Sequence, residues 1–175
     1  AGENSYNIMI DHVSLSWSPD KMFTTWYNAH DVTLQNSILA EGLSYSCHSE
    51  GEHSKALLIG DSTRNISLYH NYYKRGPSTT AWAKFFYAGD TTYPTKTMIY
   101  INGDEGNDSL LLYYNSHQSA YIAAHPSYLV AAPVNYAGNI SYTNPISSIL
   151  YRFINDVGAT KPVRDSIDTR VINNF

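Results

Sequence analysis

Asn7-Ile8-Met9-Ile10, Asp31-Val32-Thr33-Leu34, Asn65-Ile66-Ser67-Leu68 and Asn139-Ile140-Ser141-Tyr142 share one form. Each opens on Asn or Asp and runs into a short stretch of alternating aliphatic residues, the pattern of a strand with one buried face. Two looser segments, Lys96 to Asn102 and Ser109 to Asn115, have the same strand-length enrichment in β-branched and aromatic residues. Turn formers bound these runs. The first three segments are spaced by 24 and then 34 residues. A near-period with an insertion is the mark of a solenoid, in which each repeat is one structural unit and extra residues go to loops on one face.

The fold class read from this pattern is all-β, a parallel β-helix. A sandwich or an antiparallel barrel needs tight two-residue hairpins between adjacent alternating runs, and these are scarce. Stacked Asn or Asp residues at equivalent places also form ladders that satisfy turn backbones. The pattern changes at Ser147. Ile149, Leu150, Phe153, Ile154 and Val157 fall at helical spacing, with Gly158 placed as a C-cap. Asp165 opens a second short helical stretch, Ser166 to Ile172. The expected organisation is therefore strand repeats over 1–146 and a helical segment over 147–175 that caps the open end or clamps the side.

Composition narrows the function classes. The chain has 175 residues, 43% of them hydrophobic and 15% charged, so it folds around a core rather than staying disordered. Sixteen tyrosines suit half-buried strands and sugar-stacking platforms alike. A net charge of −4 and no basic stripe argue against nucleic acid as a partner. No apolar run reaches membrane-span length. The single Cys47 excludes a disulfide within the chain. Sequons stand at Asn65, Asn107 and Asn139, and three-residue patterns of this kind arise by chance. His48 and His53 beside Cys47 match no zinc spacing. The sequence opens without a signal peptide, and the expectation is that it begins downstream of one.

Several stretches together resemble the pectate lyase family. They are Asn7 to Asp20, with its Asp-His pair and Ser-Trp; Asp31 to Leu43, running into Cys47 to Gly60; and Asn65 to Tyr73, followed by Arg75-Gly76-Pro77. The tail from Asp156 to Val171 is similar to the C-terminal segment of many bacterial members. The resemblance is dense over 7–77, returns over 150–171, and is weak over 78–144. It implies the C-terminal part of a secreted, right-handed parallel β-helix, completed by an N-terminal chain or segment.

The activity so implied is β-elimination on polygalacturonate, an acidic polysaccharide. A proton must leave C5 of a uronate, charge on its carboxylate must be stabilised, and the anionic polymer must be held. Calcium, bridging protein and substrate carboxylates, is the implied cofactor. Onto this chain the resemblance carries Asp20 as a calcium ligand, Lys55 as a substrate-binding and catalytic lysine, and Arg75 as the base. A guanidinium in that role is chemically demanding, since it ordinarily keeps its proton. Thr24 stands where other members carry a second carboxylate, and Thr80 where they carry a second arginine. Two further family ligands would fall before residue 1. Lys74 and Tyr73 are expected at the substrate, and Asp11 with His12 as support beside the metal.

Two other functions remain open on the residues alone: an inactive β-helix that binds polysaccharide or serves as a structural module, and a pectin hydrolase. The hydrolase would need paired carboxylates at glycosidase separation, and no strand carries a suitable Asp-Asp pair.

Overall fold

The computed structural model describes residues 2–49, 55–60, 63–79, 86–89, 99–102, 105–106 and 156–173. The strands fall into three parallel sheets. Sheet A holds β1 (Tyr6–Asp11), β4 (His30–Gln35), β7 (Arg64–Tyr69) and β10 (Ile99–Asn102) in that order. Sheet B holds β2 (Ser14–Ser16), β5 (Ile38–Ala40), β8 (Tyr72–Lys74) and β11 (Glu105–Gly106), and sheet C holds β3 (Lys21–Thr25), β6 (Lys55–Gly60) and β9 (Phe86–Gly89). The chain visits A, B and C in rotation, and each circuit stacks on the previous one.

The registers explain the repeat. Ile8 pairs with Val32, Val32 with Ile66, and Ile66 with Ile99; Ile10, Leu34 and Leu68 form the next column. Leu15, Leu39 and Tyr73 line up in sheet B, and Phe23 with Leu57 in sheet C. These inward columns form one core. The Asn or Asp that opens each repeat has a specific backbone duty. Asn7, Asp31 and Asn65 all have φ near +55°, a left-handed conformation that short polar side chains tolerate and bulky or β-branched ones do not. Equivalent side chains then bond up the stack: Asn65 Nδ2 donates to Asp31 Oδ1 at 2.8 Å, and Asn28 to Asn4 at 2.8 Å. Asn139 to Tyr142 and Ser109 to Asn115 lie outside the described residues.

Sheets A and B are joined by two residues in every described circuit: 12–13, 36–37 and 70–71. His12, Asn36 and His70 each take a positive φ there. Asn71 shows how a turn backbone is satisfied. Its Oδ1 accepts from Ser37 N at 3.1 Å, and its Nδ2 donates to Leu34 O at 2.9 Å. The B-to-C connections are instead uneven, at residues 17–20, 41–54 and 75–85. The step from 24 to 34 residues falls wholly in 41–54.

The helix α1 (Ser166–Asn173) forms where the tail pattern predicts one. Asp165 Oδ1 accepts from Asp168 N at 2.7 Å, an N-terminal cap. Val171 and Ile172 pack with Val157 against Ile38, Ala40 and Tyr72, the outward residues of β5 and β8. The helix thus lies against the outer face of sheet B. Gly158 has φ +76°, as a C-cap requires, and its N–H donates to His12 O at 2.9 Å. A side chain at 158 would collide with Asp168. The helix expected over residues 149–155 lies outside the described residues.

Candidate active site

The stacking brings three sequence-expected residues to one edge, between sheets B and C, on successive circuits. Asp20 precedes β3, Lys55 opens β6, and Arg75 follows β8. Lys21 is the register partner of Lys55, which puts Asp20 and Lys55 on neighbouring circuits. Ala40 is the register partner of Lys74, so Arg75 leaves the sheet one circuit further along, where Glu41 leaves it on the circuit before.

Asp20 is held at its place by local bonds. Ser18 Oγ donates to Lys21 O at 2.8 Å, and Leu43 N donates to Ser18 O at 3.0 Å. Its carboxylate pairs with the Lys21 ammonium and lies 3.7 Å from His48 Nε2. Thr24 is half-buried in β3. Calcium takes six to eight oxygen ligands. Among the described residues no three of His, Cys, Asp and Glu come together, and the Asp20 carboxylate is already engaged by a lysine. These donors do not fit a calcium cage.

Other expected site residues are placed elsewhere. Tyr73 and Lys74 are expected at the substrate. Both are buried, at 8% and 5% exposure. Tyr73 points inward with Leu39, and Lys74, on the other face of β8, lies under α1, where its Nζ donates to Val171 O at 3.1 Å. Burial pulls the Lys74 ammonium below its ordinary range, against the opposing pull of Glu41. Period-two alternation puts one of these residues in the core and the other beneath the helix.

Asp11 and His12 stand at the A–B turn, with β2 between them and Asp20. Asp11 Oδ1 accepts from Asn36 Nδ2 at 2.9 Å and lies 2.7 Å from His12 Nδ1. The pair belongs to the turn ladder and not to the surroundings of Asp20. Asn65, one of the three sequon residues, has its amide engaged with Asp31. Thr80 and Asn107 lie outside the described residues.

A further polar cluster on the B–C edge centres on Glu41, which no sequence motif singles out. Glu41 is 5% exposed. Trp17 Nε1 donates to its Oε2 at 2.9 Å, and the two Arg170 guanidinium nitrogens reach Oε1 at 3.1 Å and Oε2 at 2.5 Å. This is the bidentate fork that arginine makes with carboxylates. The Arg170 guanidinium also lies 4.9 Å from the centre of the Trp17 ring. Burial pushes the Glu41 carboxyl up, but the Arg170 and Trp17 hydrogen bonds and the charges of Arg170 and Lys74 outweigh it, leaving the group below its ordinary range. An open cleft of about 380 Å³ adjoins the pair, bounded by Leu43, Pro77 and Ser78. The 24-residue interval between Trp17 and Glu41 is a signal that the repeat offered; the partnership with Arg170 had none.

No family model matches the chain. Among curated proteins it is similar to "Probable pectate lyase C" of Aspergillus fumigatus, 27% identical over 209 residues, covering 94% of this chain and 47% of that protein. The protein of the same name from Aspergillus flavus is 27% identical over 210 residues, covering 95% of this chain and 48% of that one. A shorter match to the Aspergillus oryzae protein reaches 40% over 67 residues, 38% of this chain and 14% of that one. The chain spans about half the length of the curated relatives it matches most fully. These similarities support a pectate lyase-like relationship. Among the described residues, no helix is long and apolar enough to cross a membrane.

Proposed function

We propose that the chain is the C-terminal part of a right-handed parallel β-helix, secreted, that cleaves polygalacturonate by β-elimination, with calcium as the cofactor the resemblance implies. The observation that supports this is the position of Asp20, Lys55 and Arg75 along one edge of the stack, one per circuit. The relatives named pectate lyase support the same substrate class. In this reading Arg75, as the neutral guanidine, takes the C5 proton of a bound uronate and becomes the guanidinium. The freed electron pair forms the C4–C5 double bond, and the glycosidic oxygen leaves C4 with the electrons of that C–O bond and takes a proton from water. Lys55 holds the negative polymer in register along the edge by its positive charge. The described donors do not form a calcium cage.

The test is incubation with polygalacturonate at alkaline pH, with calcium or with a chelator, following the absorbance of the unsaturated product. A rise that Arg75→Ala abolishes, with polymer binding kept, is the expected result. Loss of signal in chelator means that oxygen donors other than the described ones complete a metal site. Survival of turnover in Arg75→Ala sinks the assignment of the base. A second reading, a polysaccharide-binding β-helix without turnover, is favoured by one observation, the pairing of Asp20 with Lys21. It predicts binding with no absorbance change. Reducing ends without the chromophore indicate hydrolysis.

A further inference from the structure

We propose that Glu41 and Arg170 are positioning residues that hold the 74–79 segment, and with it Arg75, so that docking of α1 sets the geometry of the B–C edge. The part concerning turnover rests on the reading of Arg75 given above. The part concerning geometry does not.

The argument starts from how tightly 74–79 is laced to the circuit before it. Glu41 N donates to Lys74 O at 2.8 Å, and Ser44 N donates to Ser78 O at 2.9 Å. Thr79 Oγ1 donates to Gly42 O at 2.6 Å and accepts from Gly76 N at 3.1 Å. Gly76 lies flat on the Glu41 side chain: a Cβ there would sit 2.6 Å from Glu41 Cγ and 2.7 Å from its Cβ. The backbone on both sides of Arg75 therefore takes its position from Glu41. Lys74 before it is bonded to the Glu41 amide, and Gly76 after it rests on the Glu41 methylenes.

Glu41 is in turn fixed by groups far along the chain. Its backbone is left-handed, φ +57°, matching Trp17 at φ +59° one circuit earlier. Its carboxylate is buried, so its bonds must be complete to be tolerated. Two of the three nitrogens that bond it belong to Arg170 of α1, 129 residues away. On the same face of sheet B, Lys74 gives its ammonium to Val171 of α1. Helix α1 thus grips both residues flanking the position of Arg75, through the side chain of Lys74 and through Glu41 beneath Gly76. Without Arg170 the carboxylate keeps Trp17 and the nearby Lys74 but loses its fork. Relaxation then falls on the segment that carries Arg75.

The experiment pairs amide hydrogen exchange with steady-state kinetics on the whole chain, for wild type, Arg170→Met and Arg170→Lys. In Arg170→Met, the amides of Glu41, Ser44 and Thr79 exchange faster by about tenfold, while those of Val32, Leu34 and Ile66 in sheet A are unchanged. On polygalacturonate kcat falls by about tenfold or more with KM within about threefold, because a small misplacement of a reacting group costs rate more than binding. Arg170→Lys, which keeps charge without the fork, falls between. If Arg170→Met does not fold, Glu41→Gln, of nearly equal volume, takes its place with the same readouts.

Unchanged exchange at Glu41, Ser44 and Thr79 overturns the inference. So does local loosening with kcat kept, which would make the pair structural only. If the wild type itself shows no turnover, the lyase reading fails, and hydrogen exchange alone then decides whether α1 sets this edge.

Discussion

The two edges of sheet B are built from the same repeat and do opposite things with it. At the A–B edge each described circuit spends two residues, and the first of them, His12, Asn36 or His70, takes a positive φ. At the B–C edge the connections 17–20, 41–54 and 75–85 differ in length and chemistry. Neighbouring circuits meet there through a buried carboxylate, a tryptophan and a helix 129 residues further along the chain. A repeat whose rungs must match can be uniform on one edge only if variation has somewhere to go. Here it goes to the edge that collects Asp20, Lys55 and Arg75.

That contrast can be broken at several strengths. Leu34 is fully buried in the core that both edges share. Leu34→Ala should cost about 3–4 kcal/mol in denaturant unfolding, with transfer and cavity terms together. Both edges should melt in one transition, and two separate transitions would mean that the edges are independent. Gly76→Ala acts on the B–C edge alone. The added methyl meets Glu41 inside van der Waals contact, an overpacking of about 1–3 kcal/mol. Exchange should quicken at Ser44 and Thr79 and not at Asn36. Asn36→Ala acts on the A–B edge alone. It removes the bond to Asp11 and a side chain that tolerates a left-handed backbone, for about 1 kcal/mol, with kcat unchanged.

The smallest effect is in acid. Glu41 titrates below its ordinary range in the fold, so the stability it lends is present above the unfolded-state value and is lost as pH falls through the lower, folded one. Between about pH 6 and about pH 3, wild type should loosen at Ser44 and Thr79 relative to sheet A. Glu41→Gln, less stable at neutral pH, should show a flatter profile. Equal slopes in the two proteins would mean that Glu41 carries no pH-dependent part of this edge.

The start of each sheet A strand is readable in the chain and the variable B–C edge only in part. An Asn or Asp before each aliphatic alternation is both a left-handed corner and a rung, so spacing alone located Asn7, Asp31 and Asn65 on one column. The same spacing showed where extra residues enter. It did not show which way the side chains near Arg75 point. Tyr73 and Lys74 sit beside the expected base in sequence, yet alternation sends one to the core and the other under α1. Asp11 and His12 lie close to Asp20 along the chain and are separated from it by β2. Glu41 and Arg170 are linked by tertiary packing across sheet B, for which no local pattern exists.

The Glu41–Arg170 contact also has a meaning in time. Each strand pairs with a neighbour 24 or 34 residues away, so rungs can close as the chain lengthens, at modest loop entropy. The fork spans 129 residues and needs α1 in hand. Contacts of that separation close late. During synthesis the stack can therefore grow while the buried carboxylate on its side still faces water. Docking of α1 closes the fork after the circuits it spans have stacked.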